Sequence, residues 1–344
     1  MSTMKAAVLL APGKIEIQER EMPSVGPNEV LVKVRACGIC SFERRLYSGE
    51  KSIGYPVVPG HEASGVVVEV GEAVRRTLAP GTRVALDLLN RCGECEFCRT
   101  GRGNLCKYMY RGHLNLLGGF GQYVSVPSEQ VFEISESISF EEAALAEPTA
   151  CTIHSLNKAG ARFTETMLVY GVGPMGMLHV IVGAAMGLEV GVVDPDPARR
   201  QIALSLGARF AAASGPDAEL KQTVTDGFGA SPDIVIVTAP VIAAVHSALA
   251  VAGNTSRIVL FGMFPKGAMW DADPNKIHYS EVQVMGSESR TPLDFLTAVR
   301  AISSGIVNVR SMVSKVVPLD DVAKALSENA SVDTMRVVLS MDAQ

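Results

Sequence analysis

Four cysteines lie close together in the polar, glycine-containing segment NRCGECEFCRTGRGNLCKY. Cys92, Cys95, Cys98 and Cys106 are separated by two, two and seven residues. Thiolates at this spacing can close a tetrahedral zinc site in which sulfur takes every position. Two disulfides or four free thiols are the alternatives, and a reducing compartment argues against the disulfides. The lobe at residues 90–108 therefore predicts a structural zinc site, which performs no chemistry because no coordination position stays open.

Sulfur, imidazole and carboxylate groups elsewhere could hold a second metal ion with one position open. Cys40 follows the strand-like segment EVLVKVRACGI, and His61 with Glu62 lies in the glycine-bracketed turn VVPGHEASG. Glu147 ends an alanine-rich helix at AEP. Such donors suit a zinc ion that stays accessible to water or substrate. Taken singly, each has an ordinary alternative, which is a turn histidine, a solvated carboxylate or a small core cysteine.

A glycine-rich turn predicts a dinucleotide site. Gly171, Gly173 and Gly176 form GxGxxG directly after the strand TMLVY, with Pro174 and Met175 at the start of the helix that follows. The glycines allow a tight turn, close approach of a pyrophosphate and close helix packing, and the helix N-terminus attracts the phosphate charge. A glycine-rich turn without a ligand is the alternative.

The choice between NAD and NADP depends on the end of the next strand. Asp194 lies 18 residues after Gly176, where a carboxylate can accept hydrogen bonds from ribose hydroxyls and repels a 2′-phosphate. Arg199 and Arg200 follow closely and could soften that preference, or could form the solvated face of a helix. The sequence therefore favours NAD(H) over NADP(H), with Arg199 beside the nucleotide.

The segments around these groups follow two patterns. Up to about residue 132, short alternating segments such as KIEIQE and GVVVEV are separated by Gly and Pro, as in an antiparallel barrel or sandwich. Ser139 and Glu142 then form a capping-box signature that predicts a helix start. Beyond it, apolar strands alternate with amphipathic helices, which predicts a parallel, doubly wound sheet. The tail after residue 286 is expected to dock onto the N-terminal part.

Bulk properties exclude several classes of protein. The chain has 344 residues, 47% of them hydrophobic and 19% charged, which indicates a folded protein of two domains. A net charge of −5 without a basic run argues against nucleic acid as a partner. The apolar stretches are shorter than the roughly 20 residues of a membrane helix, and the N-terminus does not resemble a secretory signal. We expect a cytoplasmic location with reduced thiols.

Several short runs occur in the order found in one family. They are GIC at 38–40, GHE at 60–62, GGFGQY at 118–123, AEP at 146–148 and GVGPMG at 171–176, together with the four-cysteine lobe. In these runs the chain resembles the zinc-containing medium-chain dehydrogenases. It is more similar to their polyol (sorbitol-like) and threonine dehydrogenase branches than to the ethanol enzymes, because residue 147 is Glu where those carry Cys. The resemblance covers essentially the whole chain.

The resemblance implies an α/β fold with two domains and two zinc ions. A GroES-like β-barrel catalytic domain, residues 1–152 completed by 287–344, would surround a Rossmann NAD-binding domain at 153–286. Cys40, His61 and Glu62 would be ligands of the catalytic zinc, with Glu147 as a fourth ligand or a partner of the metal's water. The family also suggests a homodimer or homotetramer.

Two further cysteines fall outside these sites. Cys37 does not belong to the ligand pattern, and Cys151 near the domain junction is expected to be a buried thiol. Arg290, after GSES, could contact the substrate or the metal's water, or could be a surface arginine.

The chain departs from the family at the step that removes the alcohol proton. Members carry Ser or Thr two residues after the cysteine ligand, whereas this chain has Phe42, followed by Glu43 in place of Asp and by Arg45 where a histidine often lies. A phenyl ring cannot pass a proton. We therefore expect a route through water held by Glu147 or through a second substrate hydroxyl, with Phe42 as pocket wall or core packing.

The leading hypothesis is an NAD-dependent zinc dehydrogenase that interconverts a secondary alcohol, such as a polyol, sugar alcohol or cyclitol, and its ketone. Threonine or another secondary alcohol is the enzymatic alternative. A reductase of an activated C=C or C=N bond would explain the missing relay residue. The non-enzymatic alternative is a nucleotide-binding zinc protein that has lost turnover.

Overall fold

The structure is a computed structural model that describes residues 2–109, 117–328, 331 and 334–342. It divides into two compact units, the first being Met1–Ala150 with Arg290–Gln344 and the second Cys151–Ser289. The domain limits predicted at 152/153 and 286/287 describe parts that fold independently. Division into compact units does not test independent folding, so these limits stay a prediction. Parts of the predicted first domain, including residues 110–116, lie outside the described residues.

The first unit is built on antiparallel strands, as its alternating segments predict. They are β1 (Thr3–Ala11), β2 (Lys14–Glu21), β3 (Glu29–Gly38), β4 (Glu62–Val70), β5 (Arg83–Asp87), β6 (Tyr123–Pro127) and β7 (Val131–Glu133). β1 and β2 pair with each other, whereas β3 pairs with both β4 and β6, and β5 joins β4 to β7. Val32, Val67, Leu86 and Phe120 share one buried core, which excludes water from the strand ends that carry the site.

Helices lie between and after these strands: α1 (Ser41–Ser48) follows β3, α2 (Glu96–Arg99) follows β5, and α3 (Phe140–Ala144) and α4 (Ala146–Ala159) follow β7. The capping box predicted at Ser139 begins α3, because Ser139 accepts the Glu142 N–H. The prediction that Glu147 ends this helix is wrong, since α3 ends at Ala144 and Glu147 lies in the first turn of α4. Pro148 is tolerated there because a helix's first N–H groups have no partner within the helix.

A second correction concerns the turn assigned to His61 and Glu62. Glu62 is the first residue of β4 and pairs with Gly38 of β3 and Asp87 of β5. The turn signal of Gly60 is real, since Gly60 has a φ of 94°. The strand begins earlier than predicted, because β3 and β5 supply ladder hydrogen bonds to a segment whose sequence reads as a loop.

The second unit is a parallel sheet covered by helices. Its strands are β8 (Thr166–Tyr170), β9 (Glu189–Val193), β10 (Phe210–Ala212), β11 (Ile234–Val237), β12 (Arg257–Leu260) and β13 (Gln283–Gly286). Its helices are α5 (Pro174–Ala185), α6 (Pro197–Ser205), α7 (Asp217–Phe228), α8 (Ile242–Val251) and α9 (Pro274–Ser280). The strand order β10-β9-β8-β11-β12-β13 is that of a doubly wound dinucleotide fold, which confirms the predicted fold class.

The C-terminal tail returns to the first unit. It consists of α10 (Pro292–Ser303), β14 (Val313–Pro318), α11 (Val322–Ser327) and β15 (Arg336–Ser340). β15 pairs with β14 in parallel and with β3 in antiparallel register, Leu339 lying opposite Cys37. The tail thereby places Arg336 behind the strand ends of β3 and β4.

Candidate metal and nucleotide sites

The first site forms where β3 ends and α1 begins. Cys40 is the N-cap residue of α1, and its backbone N–H donates to Glu43 Oε2 at 3.1 Å. The other oxygen of Glu43 lies 2.5 Å from His61 Nδ1. Because Glu43 is buried, one carboxylate ties the helix start to the imidazole, and the ring's Nε2 remains directed away from Glu43.

Glu62 lies beside His61 at the start of β4. A side chain at Gly38 would place its Cβ 2.1 Å from Glu62 Oε2, so the glycine is required for the carboxylate to fit. Arg336 Nη2 lies 3.2 Å from Glu62 Oε1. Apart from this ion pair, neither of the two buried Glu62 oxygens accepts a hydrogen bond from the residues that the structure describes, so the carboxylate keeps lone pairs that a further cation could use.

Glu147 approaches the same imidazole from α4. Its Oε1 lies 3.8 Å from His61 Nε2, and Arg290 forms an ion pair with it. Arg290 also pairs with Asp87, whose Oδ1 lies 2.8 Å from Nη2. The arginine is 2% exposed, so its surface alternative is wrong, and it holds a candidate ligand in place.

These side chains meet the requirement of a metal site. Donor atoms of Cys40, Glu43 and His61 lie within 4.8 Å of one another, as do those of His61, Glu62 and Glu147. The four predicted ligands are thus distributed over two overlapping sets that share His61. Thiolate, imidazole and carboxylate are suitable donors for zinc, so the residues present fit the group that the sequence predicts.

The charges around His61 favour a bound cation. Burial lowers the pKa of His61, but the Glu43 and Glu147 carboxylates outweigh it and hold that pKa well above its usual range. Burial raises the pKa of Glu62 to about 7 against the opposing effect of Arg336, and Glu147 raises it further. Three carboxylates therefore compete for positive charge in a buried space.

Phe42 occupies the wall next to the imidazole. Its ring contacts His61 edge to face with centroids 5.3 Å apart, and Lys51 Nζ lies 4.5 Å from its centroid. Phe42 also packs against the apolar cluster of Leu9 and Leu46. The ring is therefore positioned as a packing element and offers no group that exchanges protons.

The four cysteines of the lobe also come together, with donor atoms within 4.8 Å of one another. The sulfurs of Cys92 and Cys98 are 3.9 Å apart, close to the roughly 3.8 Å edge of a tetrahedron with about 2.3 Å Zn–S bonds. Backbone N–H groups point at the sulfurs, and those of Cys98 and Lys107 lower the pKa of Cys95 to about 6. The cysteines are free thiols, so the lobe fits a structural zinc ion.

The remaining two cysteines lie outside these sets. Cys37 is buried, and burial raises its pKa well above the usual range, which makes it an inert core thiol. Cys151 is half-buried. The expectation that Cys151 is a buried thiol is therefore wrong, because the residue is partly exposed at its position on α4.

The second unit contains the predicted glycine turn. Gly171 has a φ of 84°, and a Cβ there would lie 2.7 Å from Ala239 Cβ. A Cβ at Gly176 would lie 2.0 Å from the Gly171 oxygen, whereas one at Gly173 would meet nothing within 4 Å. Gly173 is the N-cap of α5, without a side-chain cap and with Pro174 in the first turn. The turn thus leaves open space in front of a helix N-terminus, which suits a pyrophosphate.

Asp194 braces this turn. Its Oδ2 accepts the Val172 N–H at 2.8 Å, and its Oδ1 accepts the Asp196 N–H at 2.9 Å. Arg200 donates to the backbone oxygen of Asp194 at 2.7 Å, whereas Arg199 lies in the first turn of α6. The Asp194 carboxylate therefore lies directly after β9, with part of its hydrogen-bonding capacity used by the backbone, and its contact with a ribose stays a prediction.

Sequence reasoning assigned no role to several residues that shape these sites. The sequence indicates Glu43 only as a departure from a family pattern, and it assigns no role to Asp87, Arg91 or Arg336. A signal for Glu43 exists in hindsight, because an acidic residue three positions after Cys40 is the spacing of a capping box. The partners of Asp87 and Arg336 are distant in sequence, so no local pattern indicates them.

Among the residues that the structure describes, no helix is long and apolar enough to cross a membrane.

Comparison with known families gives two matches. Residues 26–136 match the alcohol dehydrogenase GroES-like domain, and residues 174–304 match the zinc-binding dehydrogenase family. Among solved structures, a zinc-binding dehydrogenase from Sinorhizobium meliloti 1021 with bound NADP has a TM-score of 0.91 at 32% identity, covering 99% of this chain and 100% of that one.

Curated relatives carry names of dehydrogenases. L-galactonate-5-dehydrogenase of Escherichia coli (strain K12) is 30% identical over 94% of this chain and 94% of its own. D-arabitol-phosphate dehydrogenase of Enterococcus avium is 29% identical over 98% and 97%. L-threonine 3-dehydrogenase of Chelativorans sp. (strain BNC1) is 29% identical over 98% of both chains. Each match extends over nearly the full length of both proteins.

Proposed function

Because this chain belongs to the zinc-dependent medium-chain dehydrogenases, in their polyol and threonine dehydrogenase branch, we propose that it is an NAD-dependent enzyme that interconverts a polyol or sugar-derived secondary alcohol and its ketone. Dehydrogenation of alcohol groups is the family's activity. The observation that carries the proposal is the convergence of Cys40, Glu62 and Glu147 on His61, in a chain that also has open space at Gly173, before the N-terminus of α5.

The proposed catalytic ligands are Cys40, His61 and Glu62, with Glu147 as a fourth ligand or a nearby base. Bound zinc would supply a Lewis acid that favours loss of the proton from the substrate hydroxyl, and bound NAD⁺ would accept the hydride from the carbon that bears this hydroxyl. Glu43 orients His61 through Nδ1, which leaves Nε2 as the donor. Cys92, Cys95, Cys98 and Cys106 hold the structural zinc.

The proton requires a route that avoids Phe42. Glu147 Oε1 lies 3.8 Å from His61 Nε2, and we assign Glu147 the role of accepting the alcohol proton, directly or through water. Arg290 forms an ion pair with Glu147, which holds the carboxylate in position near the imidazole. Buried carboxylates around the metal also suit a substrate with several hydroxyl groups.

Metal analysis tests the site first. We expect two zinc ions per chain, and a chelator should remove the ion at the open site before the sulfur-only ion, because its mixed ligands leave a position accessible. Activity should disappear with the first ion and return when zinc is restored. A purified chain that binds only the lobe's ion, with Cys40 and His61 intact, would contradict the proposal.

Substrate and cofactor are tested on the metal-loaded protein. Nicotinamide absorbance is followed with sugar alcohols, sugar acids, cyclitols, L-threonine and activated alkenes. Turnover of several polyols in preference to threonine supports the proposal. Threonine is the second candidate because a threonine dehydrogenase is as similar to this chain as the sugar-alcohol relatives.

Cofactor choice is measured by titrating NADH and NADPH separately. We expect NADH to bind more tightly because the buried Asp194 carboxylate repels a 2′-phosphate. Asp194→Asn is the informative variant, since it removes the charge and keeps an acceptor for the Val172 N–H. Tighter binding of NADPH by the unaltered protein would refute the preference for NADH. It would indicate that Arg199 and Arg200 influence cofactor choice more than Asp194 does.

A further inference from the structure

A row of buried charges connects the lobe to the candidate open site. Glu147 pairs with Arg290, Arg290 pairs with Asp87, and Asp87 pairs with Arg91, whose Nη1 lies 2.7 Å from Asp87 Oδ2. Arg91 Nη2 also donates to the Arg290 backbone oxygen at 3.1 Å. Two carboxylates and two guanidinium groups therefore alternate along one continuous path.

The two ends of the row lie at different metal sites. Glu147 is a candidate ligand of the open site. Arg91 directly precedes Cys92 and is covered by the lobe, since a Cβ at Gly103 would lie 2.6 Å from Arg91 Cδ. Asp87, in the middle, is the last residue of β5 and pairs in register with Glu62. The row thus passes through the sheet that carries the open site.

Because these four side chains are buried, the ion pairs in the row depend strongly on the position of each charged group. The Asp87 and Arg290 side chains are 1% and 3% exposed, and those of Glu147 and Arg91 are 7% and 12% exposed. Charges in such surroundings are weakly screened, so an ion that loses one partner is drawn towards the other. If Arg91 leaves Asp87, Arg290 becomes the main partner of Asp87 and its hold on Glu147 weakens.

We propose that this row couples the two metal sites: the occupied four-cysteine lobe fixes Arg91, and Arg91 acts through Asp87 and Arg290 as a positioning residue for Glu147 and for metal binding at the open site. The inference rests on the proposed function, which supplies the metal at each end. Coupling of this kind is reciprocal, so the open site should affect the lobe's metal affinity by the same factor.

Zinc affinity at the open site, measured by chelator competition, tests the coupling in the full-length protein. We expect Arg91→Met to weaken it about tenfold, the lower end of the effect of changing an outer-shell partner. Arg91→Lys keeps a positive charge beside Asp87 and should restore most of the affinity. Arg99→Met is the matched control, since this exposed arginine directly follows Cys98 and lies outside the row.

A double-mutant cycle shows whether the effect passes through Glu147. In a Glu147→Gln background, Arg91→Met should change the zinc affinity of the open site by less than about twofold. A change of that size is within the range over which separate mutations behave as independent. The ligand-field spectrum of cobalt at the open site should shift in Arg91→Met and stay unchanged in Arg99→Met. If Arg91 has a purely structural role, Arg91→Met should lower thermal stability and leave the zinc affinity and the cobalt spectrum of the open site unaltered.

A second variant covers the case in which Arg91→Met does not fold. Gly103→Ala displaces Arg91 from the lobe side without changing any charge, and we expect it to weaken open-site affinity in the same direction. If the unaltered protein binds both zinc ions, and Arg91→Met and Gly103→Ala match Arg99→Met within about twofold, the coupling is refuted while the proposed function stands. If the open site binds no zinc in the unaltered protein, the proposed function itself fails.

Discussion

His61 depends on Glu43 for its orientation at the candidate metal site. The imidazole has two nitrogens, and the 2.5 Å contact of Nδ1 with Glu43 leaves Nε2 for a metal. A carboxylate in this position fixes the ring and its tautomer. The same carboxylate accepts the Cys40 N–H, so one acidic residue positions two candidate ligands.

Glu43→Gln should weaken zinc binding at the open site by roughly 10- to 100-fold, since outer-shell partners have effects of that size. Glu142→Gln is a matched control because Glu142 closes a similar capping box, at Ser139 on α3. Both variants should lose comparable stability. Equal zinc affinity in the two variants would show that Glu43 serves only the helix start.

Phe42→Ser should raise the Michaelis constant by roughly 2- to 10-fold, because an aromatic contact contributes about 0.5–1.5 kcal/mol. The pH dependence of kcat should stay unchanged, since the ring carries no exchangeable proton. Phe42→Leu serves as a control that shortens the wall without adding a hydroxyl. A new ionisation in the Phe42→Ser profile, absent from Phe42→Leu, would place this position on the proton path.

At the scale of elements, the junction of β8 and α5 separates two roles of glycine. A Cβ at Gly176 would collide with the Gly171 backbone oxygen, whereas a Cβ at Gly173 would enter open space. Gly176 is therefore required by the fold of the turn, whereas Gly173 is required only if a ligand approaches the turn from outside.

Gly173→Ala should leave the unfolding free energy within about 0.5 kcal/mol and lower dinucleotide affinity about tenfold or more, as a loss of about 1.4 kcal/mol implies. Gly176→Ala should instead destabilise the protein by about 1–3 kcal/mol through overpacking. Calorimetric titration with NADH and denaturant unfolding separate the two effects. A Gly173→Ala protein that binds NADH normally would place the pyrophosphate elsewhere.

A buried histidine links α4 and α5 within the second unit. His179 Nδ1 donates to the Met175 backbone oxygen at 2.7 Å, and Nε2 lies 2.7 Å from Ser155 Oγ. Burial lowers the pKa of His179 to about 4, and the Met175 contact opposes this only in part. Phe261 covers the ring edge to face, so the neutral imidazole is the form that fits.

The unfolded chain binds a proton at His179 below its ordinary pKa of about 6.5, whereas the folded chain does so only below about 4. The unfolding free energy should therefore be undiminished above pH 6.5 and fall by about 3 kcal/mol as the pH drops to about 4. His179→Gln should flatten this dependence. An identical pH slope in the variant, measured by urea unfolding, would contradict the assignment.

At the scale of the whole molecule, the lobe and the nucleotide turn belong to different compact units. Cys95→Ser should release the structural zinc and lower the stability of the first unit on the order of 4 kcal/mol, the range expected for a lost metal. The second unit has its own core around Leu168, Val235 and Val237. In Cys95→Ser, NADH affinity should therefore persist at temperatures where the first unit has already unfolded. Loss of NADH binding at the same temperature as unfolding of the first unit would contradict this prediction.

The sequence determined the features that local patterns encode. The alternation of apolar strand and helix segments predicted β8, β9 and α5. The expectation that this helix is amphipathic is wrong for α5, since every residue from Gly176 to Gly183 is buried. The alternation did not predict α7, in which Leu220 and Val224 are the buried residues, or the three-residue β10, since neither carries a strong periodic signal. The cysteine spacing was sufficient to predict that the four cysteines of the lobe come together, since they lie within 15 consecutive positions, 92–106.

Only the tertiary structure decided which distant charges meet. Glu147 and Arg290 are 143 residues apart, and Arg336 reaches Glu62 from the opposite end of the chain. Such pairs leave no trace in spacing, because sheet pairing and burial bring them together and the low dielectric of the interior makes them interact strongly. The types of the candidate metal ligands were thus readable from the sequence, whereas the carboxylates and guanidinium groups that hold them in place required the fold.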